Sequence, residues 1–301
     1  MDFRTNILKL LYTLFPFDLK GDLPVGHLKN DYEVSCIINF YGRIHLLEGI
    51  LFSLIEQNCP KSCFEVILVE DRGGTEEGKN CAENFSRFLN VSYHTVDAHY
   101  GVMGYSRNLG TAKARGRYIL FLDDDTVILQ KNFLQVLIDT FNATKTDGII
   151  PRGQASFHVL KDKYGYHESY FPTSRCMSYQ SSVLRELGGF VSDIIGQEDV
   201  EFTVRFLLSG KKYSRAPGLE YYHPPLLMPN LRKPKAVGNS FYRLKNRYSF
   251  VIWMLLIMNC ARFVPLYLLP VRKYREMARF SLGFLLGVTV SLFKKAGFSY
   301  N

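Results

Sequence analysis

Acidic residues are nearly missing from the last quarter of this 301-residue chain: from Leu226 to Asn301 there is one, Glu276, against 13 Lys and Arg. The formal net charge of +9 therefore conceals about +12 on that tail and about −3 on the first 225 residues. A basic tail on a mildly acidic body fits an anionic surface as partner of the tail alone. Its basic residues alternate with apolar runs at 250–257, 263–270 and 280–293, which favours membrane lipid and argues against nucleic acid. No run reaches about 18 uninterrupted apolar residues, the usual need of a spanning helix. The tail is therefore expected as interfacial helices on an anionic leaflet, each basic residue contributing about 1 kcal/mol. A re-entrant hairpin and a helical cap on the body are the rival readings.

The six cysteines (Cys36, Cys59, Cys63, Cys81, Cys176, Cys260) lack zinc-ribbon spacing, and Cys59-x-x-x-Cys63 has no matching pair. Several lie in strand-like or apolar stretches, where a free thiol behaves as a small hydrophobe; a reducing cytosol fits that usage. Residues 1–15 carry no small-residue cleavage site after an apolar core, so no cleavable signal peptide is expected. They do carry a helical apolar stripe (Phe3, Ile7, Leu8, Leu10, Leu11, Leu14, Phe15) that ends at Pro16. It suits docking on the body or a lipid interface.

What is present centres on Tyr118-Ile119-Leu120-Phe121-Leu122-Asp123-Asp124-Asp125-Thr126. Five apolar residues after Gly116 read as a strand buried on both faces. Three carboxylates at its carboxyl end repel one another by several kcal/mol at low effective dielectric, unless a cation neutralises them. Such strand ends are where open α/β sheets bind ligands. Acidic runs also occur as solvated loop starts or helix caps.

Along the chain, Val34-Ser35-Cys36-Ile37-Ile38-Asn39 reads as a strand, Tyr41-Gly42-Arg43 as a turn, and Ile44, Leu47, Ile50, Leu51 and Leu54 as a helix face. A second strand, Phe64-Glu65-Val66-Ile67-Leu68-Val69, ends in Glu70-Asp71. A polar helix near 76–89, a strand at 91–96 and a helix near 105–114 precede the acid-tipped strand. Short alternating units of this kind predict a doubly wound, mostly parallel sheet. Both acid-tipped strands then reach one edge and share a pocket. Carboxylates accept hydrogen bonds and bind cations, so the ligand brings NH or OH donors to one pair and a metal–diphosphate to the other. A nucleotide sugar has both.

Arg107, at the start of a helix, is the natural phosphate partner; a solvent-facing Arg with Asn108 as cap is the alternative. After a helix near 131–142 and a strand at 148–151, residues 153–172 have the composition of a substrate loop. A strand at 174–179 and the turn Leu187-Gly188-Gly189-Phe190 follow. Gly196-Gln197-Glu198-Asp199 then opens an amphipathic helix through Leu208, and its acids alone would read as a macrodipole device. A strand at 213–222 ends at His223, which is either a structural histidine or a metal ligand.

The succession Ser35-Cys36-Ile37-Ile38-Asn39-Phe40-Tyr41, Val69-Glu70-Asp71, Arg107-Asn108-Leu109-Gly110 with Ala114-Arg115-Gly116, Leu122-Asp123-Asp124-Asp125, Leu187-Gly188-Gly189-Phe190 and Glu198-Asp199 with Arg205 resembles a family 2 glycosyltransferase of the GT-A fold, over roughly residues 33–223. The resemblance implies donor-binding roles for Asn39, Phe40, Tyr41, Arg43, Glu70, Asp71, Arg107, Asn108, Asp123 and Asp124. Asp123 and Asp125 are implied as the outer acids of an Asp-x-Asp motif that touches ribose and binds Mg²⁺ or Mn²⁺, with His223 as a late metal ligand. Asp199 is implied as the catalytic base, with Glu198 beside it.

Two departures stand out: Asn39 and Gly42 replace the usual Pro and Asn of the first turn, and Glu70 replaces Asp. They bear on donor identity more than on reaction type. No Gln-x-x-Arg-Trp follows Asp199, so a non-processive enzyme adding one sugar is expected.

The expected organisation is an N-terminal helix and linker over 1–31, a GT-A catalytic domain over 32–225 and a basic, apolar helical appendage over 226–301. The expected function is metal-assisted, inverting transfer from a UDP-, dTDP- or GDP-linked sugar to a glycan or lipid-linked acceptor. The expected site of action is the cytoplasmic, inner face of a membrane. A catalytically inactive nucleotide-sugar-binding module and a sugar nucleotidyltransferase are the alternatives. The second expects a Gly-rich phosphate loop, whereas Asn39-Phe40-Tyr41-Gly42-Arg43 offers one Gly.

Overall fold

Tyr32–Phe40 (β1) carries Val34, Cys36, Ile37, Ile38 and Phe40, and from Val34 to Phe40 every residue is buried. A strand of this kind needs neighbours on both edges and cover on both faces. It has them. In the computed structural model, which describes residues 3–24, 30–155, 175–224 and 230–293, β1 pairs in parallel with Phe64–Glu70 (β2) and with Gly116–Asp123 (β4). Val91–Thr95 (β3), Gly148–Ala155 (β5), Cys176–Gln180 (β6) and Tyr213–His223 (β7) complete the sheet among the described residues, in the order β3-β2-β1-β4-β6-β5-β7. Only β6 runs antiparallel to its neighbours.

The chain builds outward from β1 through β2 to β3, then returns to place β4 on the other side of β1. This reversal is the topological switch point, outside whose carboxyl strand ends a crevice opens. The registers Phe40↔Glu70 and Asn39↔Asp123 bring the ends of β2, β1 and β4 to that one edge. The two acid-tipped strands are thus one strand apart.

Alternation along each strand divides the core in two. Val34, Cys36, Ile38, Val66, Leu68, Leu120 and Leu122 pack with Ile44–Ile55 (α2), Glu76–Ser86 (α3) and Phe133–Thr144 (α5). Leu47, Ile50, Leu51 and Leu54 form the buried stripe of α2, each contributing about 2 kcal/mol by burial. On the other face Ile37, Ile67, Val69, Ile119, Phe121 and Tyr179 pack with Met103–Lys113 (α4), Ser181–Glu186 (α6) and Glu198–Leu208 (α7). Phe190 lies 5.3 Å from Phe121 and 5.0 Å from Phe202 between ring centroids, which seats α7.

The turn before α7 is pinned by a fully buried Arg205. Its guanidinium makes two 2.7 Å bonds to the Glu201 carboxylate and donates to the Leu187 carbonyl (2.8 Å) and the Gly189 carbonyl (2.7 Å). From the other side, backbone N–H groups of Gly21 and Leu23 bond the carbonyls of Leu187 and Gly188 at 2.8 and 2.7 Å. A Cβ at Gly21 would lie 2.3 Å from the Gly189 oxygen, so only glycine fits there.

The chain divides into two compact units, Lys20–Ser192 with Asp199–Pro225, and Met1–Leu19 with Asp193–Glu198 and Leu226–Asn301. The second holds Phe3–Leu14 (α1), Arg232–Arg243 (α8), Phe250–Ala261 (α9) and Arg272–Phe293 (α10). Helix α8 falls within the appendage expected to be helical, in a stretch that carries Pro234 among basic residues. Pro234 sits in its first turn, where a missing N–H costs no helical bond.

Gly238 and Gly287 let α8 and α10 touch: a Cβ on either would stand 2.0 Å from the Phe284 oxygen or 2.1 Å from the Lys235 oxygen. Asn239 donates to Ser291 across the same contact at 2.6 Å. The apolar runs at 250–257 and 263–270, read separately in sequence, join through the 3-10 turn Val264–Leu268. The result is one 19-residue helical stretch, Phe250–Leu268, long and apolar enough to cross a membrane by length and composition. Most of the expected substrate loop, from residue 156 on, lies outside the described residues.

Replacing Arg205 by Met strands the Glu201 charge in the interior. Loss of one partner from a buried pair costs about 3–5 kcal/mol. Urea unfolding of Arg205→Met is expected to show a loss of that size, and a change below about 1 kcal/mol would contradict the clamp.

Candidate active site

Asp123 ends β4, and its N–H bonds the Arg175 carbonyl at 3.1 Å; the chain then turns, with Thr126 N–H on the Asp123 carbonyl at 3.0 Å. Val127 and Tyr222 exchange two backbone bonds of 2.8 Å, which draw the end of β7 onto this turn and bring His223 to the acids. His223 Nε2 lies 3.0 Å from Asp125 Oδ1 and 3.7 Å from Asp123 Oδ2. One ligating atom from each of Asp123, Asp125 and His223 falls within 4.8 Å of the others. The Pro224 carbonyl occupies His223 Nδ1, so that nitrogen donates and Nε2 faces the carboxylates.

Two hard oxygen donors and one imidazole nitrogen, with the imidazole oriented by a carbonyl, fit Mn²⁺ or Mg²⁺ by donor chemistry. Burial opposes the charged imidazole, yet hydrogen bonds to Asp123 and Asp125 outweigh it and raise the His223 pKa to about 9. Burial likewise opposes charge on Asp123, but the His223 hydrogen bond and the Arg107 charge hold its pKa at about 2.

Two arginines share the remaining charge. Arg107 is buried in α4, its Nη2 3.3 Å from Asp123 Oδ1 and its guanidinium 5.7 Å from the centre of the Phe190 ring. Arg43 takes a left-handed conformation (φ 51°) at the start of α2, which aims its fork at β4. Its Nη1 is 3.1 Å from Asp125 Oδ2, and its Nη2 bonds Asp124 Oδ1. Burial pushes the Asp124 pKa up to about 7, Arg43 offsetting part of it while Asp125 and Asp123 add to it.

At the neighbouring strand ends, Asp71 N–H bonds the Phe40 carbonyl at 2.9 Å, locking the first two loops together. Phe40 is buried, whereas Tyr41 is half exposed with the Arg72 guanidinium 4.8 Å above its ring. Asp71 Oδ2 accepts from Gly101 N–H at 2.8 Å. Three buried polar atoms around this edge, Asn39 Nδ2, Asp71 Oδ1 and Asp124 Oδ2, have no hydrogen-bond partner among the described residues. Unsatisfied groups of this kind are costly in an interior, and a polar ligand satisfies them.

Two expected donor-binding residues have other occupations. Glu70 is fully buried, and its carboxylate accepts from Thr75 N–H (3.0 Å), Thr75 Oγ1 (2.9 Å) and Tyr93 Oη (2.6 Å). It fastens the loop that carries Asp71 to the start of α3, because alternation along β2 turns it inward. Asn108 donates to the Phe190 carbonyl at 2.7 Å and accepts from Phe190 N–H at 2.9 Å. It holds the Gly189-Phe190 turn under Arg107.

Glu198 and Asp199 open α7. Glu198 is buried, and Asp199 Oδ1 accepts from Val200 N–H at 2.8 Å while its carbonyl accepts from Thr203 Oγ1 at 2.8 Å. The Tyr179 hydroxyl is pushed well up by burial and by neighbouring Tyr213; Asp199 adds to this and Arg107 opposes it. Sequence reasoning missed the Glu201–Arg205 clamp, whose i,i+4 spacing was the available signal. It also missed Arg175, whose charge reaches Asp123 and His223 from just before β6, where a lone Arg at a strand start carries no signal of its own.

The family profile described as glycosyl transferase family 2 matches residues 35–196, more than half of the chain. The chain belongs to glycosyl transferase family 2. It is a glycosyltransferase with a GT-A fold. The family match ends just before Glu198 and Asp199. Among its relatives, the poly(ribitol-phosphate) beta-N-acetylglucosaminyltransferase TarS of Staphylococcus aureus is 25% identical over 202 residues, which are 64% of this chain and 35% of that protein. The poly(ribitol-phosphate) beta-glucosyltransferase of Bacillus spizizenii is 27% identical over 203 residues, 64% of this chain and 32% of that one. The chain thus spans about a third of the length of these two curated relatives.

Residues 1–349 of S. aureus TarS, solved with UDP-GlcNAc, align with a TM-score of 0.59 at 19% identity, covering 85% of this chain and 81% of that one. The mannosyltransferase PcManGT of Pyrobaculum calidifontis, solved with GDP-Man and Mn²⁺, aligns with a TM-score of 0.62 at 13% identity over 97% of both chains. At such identities the likeness is one of fold.

The folded pKa of His223, about 9, lies above its ordinary 6.5, so its stabilisation is complete below pH 6.5 and is lost as pH rises through 9. In chelator, the wild-type protein is expected to lose on the order of 3 kcal/mol across that window relative to His223→Asn. Parallel pH–stability curves for the two proteins would contradict the bridge between His223 and its two acids.

Proposed function

We propose that this glycosyltransferase moves one sugar, with inversion, from a nucleoside-diphosphate sugar to a hydroxyl of a glycan or lipid-linked acceptor. The observation that carries the reading is the Asp123, Asp125 and His223 cluster at the carboxyl end of β4, with Arg107 on Asp123. Two carboxylates and an imidazole so placed gain by taking up a divalent cation, and Arg107 stands beside them for the diphosphate. The UDP-GlcNAc and GDP-Man complexes of the two structural neighbours support a UDP-, dTDP- or GDP-linked donor, and Mn²⁺ in one of them supports Mn²⁺ or Mg²⁺ here. The acceptor named for the two curated relatives, poly(ribitol-phosphate), supports a cell-envelope polymer bearing free hydroxyls.

In this reading Asp123, Asp125 and His223 hold the ion. When bound, it neutralises charge developing on the leaving diphosphate, worth several kcal/mol. Arg107 draws the same phosphates toward the Asp123 edge. Asp71 Oδ1 and Asn39 Nδ2, buried and without a hydrogen-bond partner among the described residues, pair with polar atoms of the nucleoside beside Phe40 and Tyr41. Arg43 pairs with Asp124 and Asp125 at the same strand end. Glu70 and Asn108 position loops.

Asp199 accepts the proton of the acceptor hydroxyl, with Glu198 beside it. The freed oxygen attacks the anomeric carbon from the side opposite the diphosphate. The carbon–oxygen bond to the diphosphate breaks, and the nucleoside diphosphate departs with its electron pair. The acceptor supplies the nucleophile, so no covalent sugar–enzyme species forms. All six cysteines are free. That supports a reducing compartment, the cytoplasm, with the basic C-terminal segment at the inner face of a membrane.

Asp199→Asn is expected to lower transfer from radiolabelled donor by about 10²-fold or more while nucleoside diphosphate still raises the melting temperature in Mn²⁺. Asp125→Asn is expected to abolish that Mn²⁺-dependent rise. Normal turnover by the Asp199 variant would remove this residue from the chemistry.

A further inference from the structure

Two helices of the unit containing α1, α8, α9 and α10 turn apolar stripes outward instead of inward. On α1 these are Ile7, Leu10 and Leu14, spaced three and four residues apart, with Leu10 and Leu14 61% and 62% exposed. Helix α9 buries Ile252, Trp253, Leu256, Ile257 and Cys260 inside the unit, and Trp253 Nε1 bonds the Phe241 carbonyl at 2.8 Å. Its opposite side carries Phe250, Leu255 and Met258, of which Phe250 is 72% exposed. No charge interrupts that side before Arg262. The 3-10 turn continues it with Tyr267 and with Leu268, 87% exposed. A helix apolar all round is not stable against water. The exposed end of α1 joins the same structure, since Ser249 Oγ donates to the Phe15 carbonyl at 3.2 Å and the Phe17 and Tyr248 rings are 4.5 Å apart.

What covers these stripes is indicated by charge. Arg262, Arg275 and Arg279 are exposed beside the apolar ridge, and the segment from residue 226 on carries 13 basic residues and one acid. A second copy of this chain would bring the same positive charge against it, whereas an anionic leaflet complements it. We propose that this unit docks in the plane of an anionic phospholipid membrane. Phe250, Leu255, Met258 and Leu268 enter the acyl boundary, and Arg262, Arg275 and Arg279 lie at the head groups.

A crossing by the Phe250–Leu268 stretch is disfavoured, because the other side of α9 is packed inside the unit. The basic first turn of α10, Arg272-Lys273, follows at once. Helix α10 is in turn locked to α8 through Gly238 and Gly287, so the basic residues of α8 would have to follow it into the bilayer. The proposal deepens the membrane placement above and does not depend on the transfer chemistry.

The full chain is floated with phosphatidylglycerol–phosphatidylcholine vesicles and with phosphatidylcholine vesicles. Flotation is expected with the first and about tenfold less with the second. Leu255→Glu/Met258→Glu, both on the exposed side, is expected to lower binding about tenfold at unchanged UDP–Mn²⁺ thermal shift. Arg275→Glu/Arg279→Glu is expected to lose binding, as is the wild-type chain at about 1 M salt, where charges are screened beyond about 3 Å. Retained UDP–Mn²⁺ shift with no flotation overturns the docking proposal and leaves the enzymatic reading standing. Undiminished flotation of both double variants overturns it too, as does a wild-type dimer that Leu255→Glu/Met258→Glu converts to monomer. So does resistance of the bound chain to carbonate extraction, the sign of a spanning helix.

Discussion

Three carboxylates delivered side by side at the end of one buried strand are the constraint on which the structure turns. Left alone, Asp123, Asp124 and Asp125 would repel one another in a site that water reaches poorly. The chain answers with cations from three separate places: Arg43 at the start of α2, Arg107 in α4 and His223 at the end of β7. Each is fixed by its own backbone device: a left-handed residue, a buried helix face, or the Val127–Tyr222 bridge. The arrangement balances charge without filling it, since Asp124 stays well above the usual carboxylate range. A divalent ion completes what the side chains begin.

The rest of the catalytic unit keeps that edge in shape. Glu70 and Asn108 are the clearest cases. Both look like ligand-facing residues in sequence, and both are spent on holding a loop. Glu70 steadies the segment bearing Asp71, and Asn108 steadies the turn that seats Phe190 beneath Arg107. Arg205 does the same from α7, whose first turn carries Asp199. Loops that bind ligands move unless something rigid anchors them, and here the anchors are buried polar side chains hydrogen-bonded to the turns they hold.

The sheet was legible because buried parallel strands are long apolar runs, and the acids stood out because nothing in a fold requires three in a row. The shared edge followed from the parallel topology alone. What could not be read was direction: in sequence Glu70 is indistinguishable from a ligand-facing acid, and only alternation in the folded strand shows it turned inward. The Arg205 clamp was hidden because a buried arginine reads like a surface one. Helix α8 lies within the stretch read as helical, and Pro234 fits there because it sits in the first turn. The two tail runs were read as separate because Asn259 and Arg262 interrupt them, although a helix passes both.

The account rests on one ion held by residues from two strands. Crystals grown with Mn²⁺ and a nucleoside diphosphate, measured at the manganese absorption edge, test it most directly. The account predicts an anomalous peak within ligating distance of Asp125 and His223 Nε2, with Asp123 and the diphosphate beside it. A peak elsewhere, or bound nucleotide with no ion between Asp125 and His223, would contradict it.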